Sequence, residues 1–542
     1  MTKKLFFGSA VALLVSACNA DKIVEANANP NDPTDAPSTA LFANATRLAA
    51  ARWLDGVGGT RYGFLPQHLA EVQYPDDDSY LSSRLGAAAV SPLFDGSFSA
   101  ELQDLRLIRN RGVAAAKPGL SEPATILSAW EFGILTDVFG DVPYTQAFDA
   151  AVVRPKYDLQ TTVYDSLFAT LTAASAALGG AGAANELGTA DPIYAGNVAS
   201  WRRFANSVRL RQAMRLMNID PARAAVQATA AMADAGGLIL TSDQNAAMAW
   251  PGDGIYDNPW ANNFKSRDDH RISIRLLTIL SGNLDPRLPI YAMTADNDQP
   301  QIAGRTLRYC PTGVPPCYVG LMNALTQAQA APLISYTSRP GVAFYPGVTA
   351  YGTFGSGGGK VFPSTFMSAA EVEFLLAEAA ERGVPGAVGA GTHYANAITL
   401  SMTQWGVSGG NIATFLAQPG VSYAAAATTQ ARQILIATQK WVALYTDPLQ
   451  AWMEVRRTCQ PAIVEPGPSA RFAQLPRRLQ YSTNELAVNG AERLIAVTRQ
   501  FPTGGDVMTN RVYWDGLTGG AAGATYWAGS PTYQAGCSDR TF

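Results

Sequence analysis

The chain has 542 residues, of which 47% are hydrophobic and 10% aromatic, so a large core can form and the body is not disordered. Charged residues reach only 15%, and the net charge is −3. That balance supplies neither the basic footprint of a nucleic-acid binder nor the lysine-rich runs that adsorb to anionic membranes, so no nucleic-acid partner is expected.

The N-terminus is the most informative short segment. Lys3 and Lys4 form a positive region, and Leu5 to Val15 is an apolar stretch too short to span a bilayer. The run Leu14-Val15-Ser16-Ala17-Cys18 resembles the bacterial lipobox, in which the cysteine becomes a lipidated N-terminus. Residues 1–17 then form the signal peptide, and acyl chains on Cys18 anchor the protein at about 0.8 kcal/mol per buried methylene. Residues 18–40, rich in Asn, Asp, Pro, Ala and Ser, read as a flexible tether. Four cysteines remain for two disulfides in an exported chain: Cys310 with Cys317 across a turn-rich stretch, and Cys459 with Cys537. Zinc is a poor rival, since there is no Cys-x-x-Cys pair and the chain holds only His68, His270 and His393. Neither a metal nor a cofactor is expected.

The spacing then becomes helical. Trp201, Phe204, Ala205 and Val208 fall at i, i+3, i+4 and i+7, with Leu210, Ala213, Met214 and Met217 on a second face, as in stacked helix pairs. Ser368 with Glu371 forms a capping box ahead of the stripe Val372, Leu375, Leu376 and Ala379, and Gly383 and Pro385 stop that helix. Ile434, Ala437, Trp441 and Tyr445 predict another helix, ending at Asp447-Pro448, beyond which one more carries Trp452 and Val455. The helical scaffold lies mainly in 41–250 and 365–460. Loop-rich parts occupy 251–364 and 461–542, and no strand repeat of a propeller or sandwich is present.

Several segments follow in order along the chain: Leu135 to Ala147, which contains Asp141-Val142-Pro143-Tyr144; Pro155 to Asp158; Asp191 to Tyr194; Trp201 to Leu216; Phe374 to Ala379; and Trp452 to Arg457. Together they resemble the SusD/RagB family of surface lipoproteins. The pattern departs near Tyr481, where Ser482 stands in place of an expected proline. The resemblance implies a mainly α fold of tetratricopeptide-like helix pairs decorated by irregular loops. It also implies a binding protein rather than an enzyme, which lies over a SusC-like TonB-dependent outer-membrane transporter and passes it glycans or peptides. The segment around Gly140 reads as structural: Gly140 as a left-handed helix cap, Asp141 bonding backbone in the turn, and Val142 extended before Pro143.

Neutral sugars and peptides are gripped by aromatic faces and a few polar groups. Three loops offer them: Tyr74 and Tyr80 around Asp76-Asp77-Asp78; Trp250, Tyr256 and Trp260 with Asp253 and Asp257; and Tyr345 with Tyr351. The aspartate run lacks the alternating acids, Gly and distal Glu of a calcium loop and reads as a solvated turn. Gly355 to Lys360 lacks the first glycine and the Ser/Thr of a phosphate loop, and no zinc-protease or nucleophile-elbow motif is present. An exported glycoside hydrolase and a ligand-free structural surface lipoprotein are the alternatives.

Overall fold

The computed structural model describes residues 36–516 apart from 56–60, 181, 298–301, 303, 347, 351–352, 355–357, 463–465 and 473–474. Cys18, Tyr351 and Cys537 therefore lie outside the described residues, as does most of the glycine run before Lys360. The fold is mainly α. Its principal helices are α1 (Ser38–Trp53), α2 (Ala87–Gly96), α3 (Leu102–Ala114), α4 (Pro118–Phe139), α5 (Gln160–Leu178), α6 (Val198–Arg215) and α7 (Pro221–Ala233). After a loop-rich stretch come α8 (Ala369–Glu381), α9 (Ala390–Thr403), α10 (Thr429–Ala443) and α11 (Pro448–Thr458), then α12 (Thr483–Val488) and α13 (Gly490–Gln500).

Successive helices pack on each other: α3 on α4, α4 on α5, α5 on α6, α6 on α7, and α8 on both α9 and α10. This is the stacked-pair arrangement, with α6 against α8 joining the two halves. Strands occur as short antiparallel pairs: β1 (Leu69–Glu71) with β5 (His270–Ile272), β2 (Val142–Pro143) with β3 (Tyr157–Asp158), β4 (Ala246–Met248) with β8 (Ser364–Met367), and β6 (Thr306–Tyr309) with β7 (Tyr318–Leu321). A Cys310–Cys317 disulfide closes the β6–β7 hairpin. Cys459 is also disulfide-bonded.

The helix α6 shows how sequence becomes packing. Asn197 caps it by accepting the Ser200 N–H at 3.0 Å, and the expected stripe of Trp201, Phe204, Ala205 and Val208 is buried. So are Arg209, Arg211, Gln212 and Arg215, which leaves the helix with scarcely a solvent face. Arg209 donates to Gln227 Oε1 at 2.9 Å, and the other two arginines are matched by buried acids. Arg211 meets Glu371 at 2.7 Å. Arg215 reaches Glu454 at 2.7 Å and Asp137 at 3.2 Å. Arg457 joins Glu454 and Glu378, each at 2.6 Å.

Several local expectations are revised. Ser368 does accept the Glu371 N–H at 3.1 Å, but the Glu371 carboxylate goes to Arg211 instead of closing a capping box. Gly140 has φ 95° and ψ −127°, outside the left-handed helical cap and reachable without strain only by glycine. Asp141 does not serve its own turn; it accepts the Gln160 N–H at 2.8 Å and Arg499 Nε at 2.9 Å. The helix α1 begins at Ser38, inside the stretch read as tether, and α12 and α13 interrupt the C-terminal part read as loops. Ser482 caps α12 through the Asn484 N–H at 3.1 Å and donates to Asp95 at 2.7 Å, bonds that a proline could not make.

Candidate functional site

Of the seven aromatics singled out in loops, four are core residues in the structure. Tyr80 and Tyr345 are buried, and Tyr345 stacks on Phe264 at 4.5 Å between ring centres. Trp250 is buried and donates its indole N–H to Ser364 at 2.7 Å. Trp260 is 1% exposed and packs against Phe264 and Phe344, each at 5.5 Å. These loops hide their aromatics because other loops cover them, so direct ligand contact by these four is not what the geometry offers. Tyr74, at 69% exposed, and Tyr256, at 45%, do present themselves to solvent.

Tyr74 stands on a heavily braced loop. The loop leaves β1, whose register with β5 pairs Leu69 with Ile272 and Glu71 with His270. A small separate core of Ala70, Val72, Leu321, Leu325, Ala330 and Leu333 fixes its base against β7. Gln67, Tyr74 and Tyr80 all take φ between 55° and 59°, sparsely populated for residues with a Cβ. Such conformations persist only where surroundings hold them, and they cluster at ligand clamps. The holding contacts are visible: the Tyr74 N–H donates to Gln327 Oε1 at 2.7 Å, Asn323 donates to the Leu69 carbonyl at 2.7 Å, and Ser79 bonds Ser469 at 2.5 Å.

Beneath Tyr74 the acids form a buried network, not the solvated turn expected. Asp78 accepts the Glu71 N–H at 2.9 Å and Glu71 accepts the Asp77 N–H at 3.0 Å. Asp77 is paired with Arg84 at 2.9 Å. Burial pushes the carboxyls of Glu71 and Asp78 up; repulsion from Asp78 and Asp77 adds to it at Glu71, while at Asp78 the backbone N–H groups of Glu71 and Ala324 oppose burial and Asp77 adds to it. Burial alone would also raise Asp269, but hydrogen bonds from His270 and Arg267 outweigh it and hold that carboxyl below the usual range. Among the described residues no group of three or more acids, histidines or cysteines is placed to hold a metal ion.

Tyr256 has different neighbours. Asp253 accepts the N–H groups of Ile255 and Tyr256 at 2.9 and 2.8 Å, an Asx turn that fixes the ring outward. Asp257 accepts the Gly254 N–H at 2.8 Å and Lys265 Nζ at 2.6 Å. The Arg47 guanidinium lies over the Tyr256 ring at 5.4 Å. Sequence reasoning missed the braces Gln327, Asn323 and Ser469, which reach their loop from more than 200 residues away and carry no local signal.

Chemically, an exposed tyrosine on a rigid support is a stacking platform for a ring or a flat C–H face. Among the described residues, no helix is long and apolar enough to cross a membrane.

Residues 30–482 match the family model SusD-like_2, described as starch-binding and associating with outer membrane. No curated protein matches the chain. Solved structures do. A chitin-binding SusD homologue from Flavobacterium johnsoniae superposes with TM-score 0.70 at 24% identity, over 88% of this chain and 97% of that one. A SusD homologue from Bacteroides uniformis gives TM-score 0.71 at 23% identity, over 89% and 100%. One from Bacteroides thetaiotaomicron gives 0.72 at 21% identity, over 89% and 99%. These likenesses establish the fold, and the match across most of the chain establishes the family: this protein belongs to the SusD/RagB family of outer-membrane-associated proteins.

Proposed function

We propose that this protein is a cell-surface lipoprotein that captures oligosaccharide and delivers it to a SusC-like TonB-dependent transporter in the outer membrane. The observation that carries the reading is the family match over residues 30–482, whose description names starch binding and outer-membrane association. The chitin-binding relative supports a glycan ligand. Tyr74 is the first contact we assign, because it combines exposure with a braced, strained backbone; Tyr256 is the second. Tyr80, Trp250, Trp260 and Tyr345 act in this reading by holding loop shape. Cys18 carries the lipid, and Cys537 is the partner of Cys459.

Binding is tested by calorimetric titration of the purified protein with starch and chitin oligosaccharides, looking for saturable heat; release of reducing ends would indicate a hydrolase instead. Replacing Cys18 by Ser should free the protein from membranes. Co-purification with a large barrel after gentle detergent extraction tests the transporter; recovery of a solitary chain contradicts it.

A further inference from the structure

A cleft with two lobes lies at the C-terminal end of the Leu135–Ala147 segment, where α3, α4 and the turn after β2 meet. Lobes of about 360 and 420 Å³ adjoin and share Ala147 and Phe148 as a common wall. Both volumes fall in the range of small-molecule sites, roughly 300 to 1,000 Å³. Phe148 takes φ 66°, a strained conformation for an aromatic residue, at the point where the lobes join.

The first lobe is cationic. Leu102, Arg106, Arg109 and Asn110 come from one face of α3, at helical spacing. Arg106 lies 5.9 Å from the Phe148 ring. Among the described residues, neither guanidinium is held in a hydrogen bond or an ion pair. Opposite them, the hydroxyls of Thr125 and Ser128 already donate to the carbonyls of Ser121 and Ala124, each at 2.8 Å. The Thr145 hydroxyl likewise donates to Asp158 at 2.9 Å. Their remaining capacity is as acceptors. The second lobe is apolar, walled by Phe94, Phe98, Phe148, Pro143, Pro155 and Val488. Its rim acids are already engaged: Asp95 by Ser482 and Asn484, both at 2.7 Å, and Glu485 by Tyr157 at 2.5 Å.

One ligand chemistry satisfies all of this. An anionic group suits the two free guanidiniums, hydroxyl donors suit the spent threonine and serine, and a C–H face suits the phenylalanine wall. We propose that the cleft is a second saccharide site, selective for a carboxylated sugar of the hexuronate class. The proposal rests on the chain being a glycan binder, and adds that acidic residues of the glycan dock here, away from Tyr74.

The test is calorimetric titration of the purified full chain with oligogalacturonate and with hyaluronan tetrasaccharide, each beside its neutral methyl ester. The acid forms should bind about tenfold or more tightly than the esters, as expected of charge-assisted hydrogen bonds. Arg106→Gln with Arg109→Gln should abolish that preference, and Phe148→Ala should weaken acid binding while circular dichroism stays unchanged. Tyr74→Ala should leave the preference intact. Equal binding of acid and ester, binding of neither, or a preference surviving in the double arginine variant overturns the cleft assignment. So does tetraglutamate binding as well as the uronates, which would make the site one for acidic peptides. Starch oligosaccharide binding that is lost in Tyr74→Ala, with no uronate binding, sinks the cleft alone. Uronate binding at the cleft, with Tyr74→Ala silent toward every oligosaccharide, sinks the Tyr74 face alone.

Discussion

Replacing Glu454 by Gln removes one charge from the centre of the scaffold. Glu454 on α11 meets Arg215 of α6 at 2.7 Å, Arg457 at 2.6 Å and Lys440 of α10 at 3.3 Å, and all four side chains are at most 3% exposed. Burial would raise its carboxyl, but the three cations outweigh burial and hold it well below the usual range. Glutamine keeps the shape and one acceptor, while Arg457 retains Glu378. Arg215 retains Asp137 at 3.2 Å, whereas Lys440 loses its carboxylate partner, and stranding a buried charge costs about 3–5 kcal/mol. An unfolding entropy of roughly 2.1 cal/mol/K per residue gives about 1.1 kcal/mol/K for 542 residues, so the melting temperature should fall by about 3–4 °C. A further Lys440→Met replacement removes the stranded ammonium and should recover part of the loss. The assay is a circular-dichroism melt of wild type, single and double variants. A Glu454→Gln midpoint within about 1 °C of wild type, or a double variant worse than the sum of its parts, would refute the reasoning. Because the folded carboxyl is depressed, its stabilisation is present at neutral pH and is lost as pH falls below the unfolded value of 4.5.

Other consequences are equally checkable. Glu71 and Asp78 have the opposite sign: their folded carboxyls are raised, so they cost stability progressively as pH rises above the unfolded values of 4.5 and 3.8. Glu71→Gln should therefore melt above wild type at pH 8, with the advantage gone by pH 4; an advantage that does not change with pH counts against the buried acid pair. Trp260→Ala should cost about 3–5 kcal/mol in urea unfolding, while Tyr256→Ala should cost under about 1 kcal/mol, because only the first empties a packed site. Gly140→Ala should cost about 1–3 kcal/mol or more, since its φ of 95° is strained for alanine and an added Cβ would lie 2.1 Å from Gln500 Oε1; a neutral result would mean the turn relaxes.

The scaffold was legible because helical spacing is local. Trp201, Phe204, Ala205 and Val208 lie on one buried stripe of α6, and Ser368 caps α8, as their positions in the sequence indicate. The Cys310–Cys317 bridge was legible for the same reason, seven residues apart across a turn. The burial of Arg211 and Arg215 was not, because it depends on Glu371 and Glu454, far along the chain. Loop aromatics fail in the same way. Trp260 and Tyr256 are four residues apart and equally aromatic, yet Phe344 and Tyr445 cover one and leave the other exposed. The segment around Gly140 read as a structural turn, and its turn residues are buried; but Tyr144 and Ala147 just beyond it also line the cleft, facing arginines of α3 that lie before it in sequence.

The claim that a braced, outward Tyr74 marks the glycan-binding face is tested most directly by titrating wild type and Tyr74→Ala with the oligosaccharide that wild type binds. With the ring 69% exposed, the variant should melt like wild type and bind about 5- to 150-fold more weakly, as loss of a stacking aromatic worth about 1–3 kcal/mol requires. Unchanged affinity in a folded Tyr74→Ala protein would contradict it.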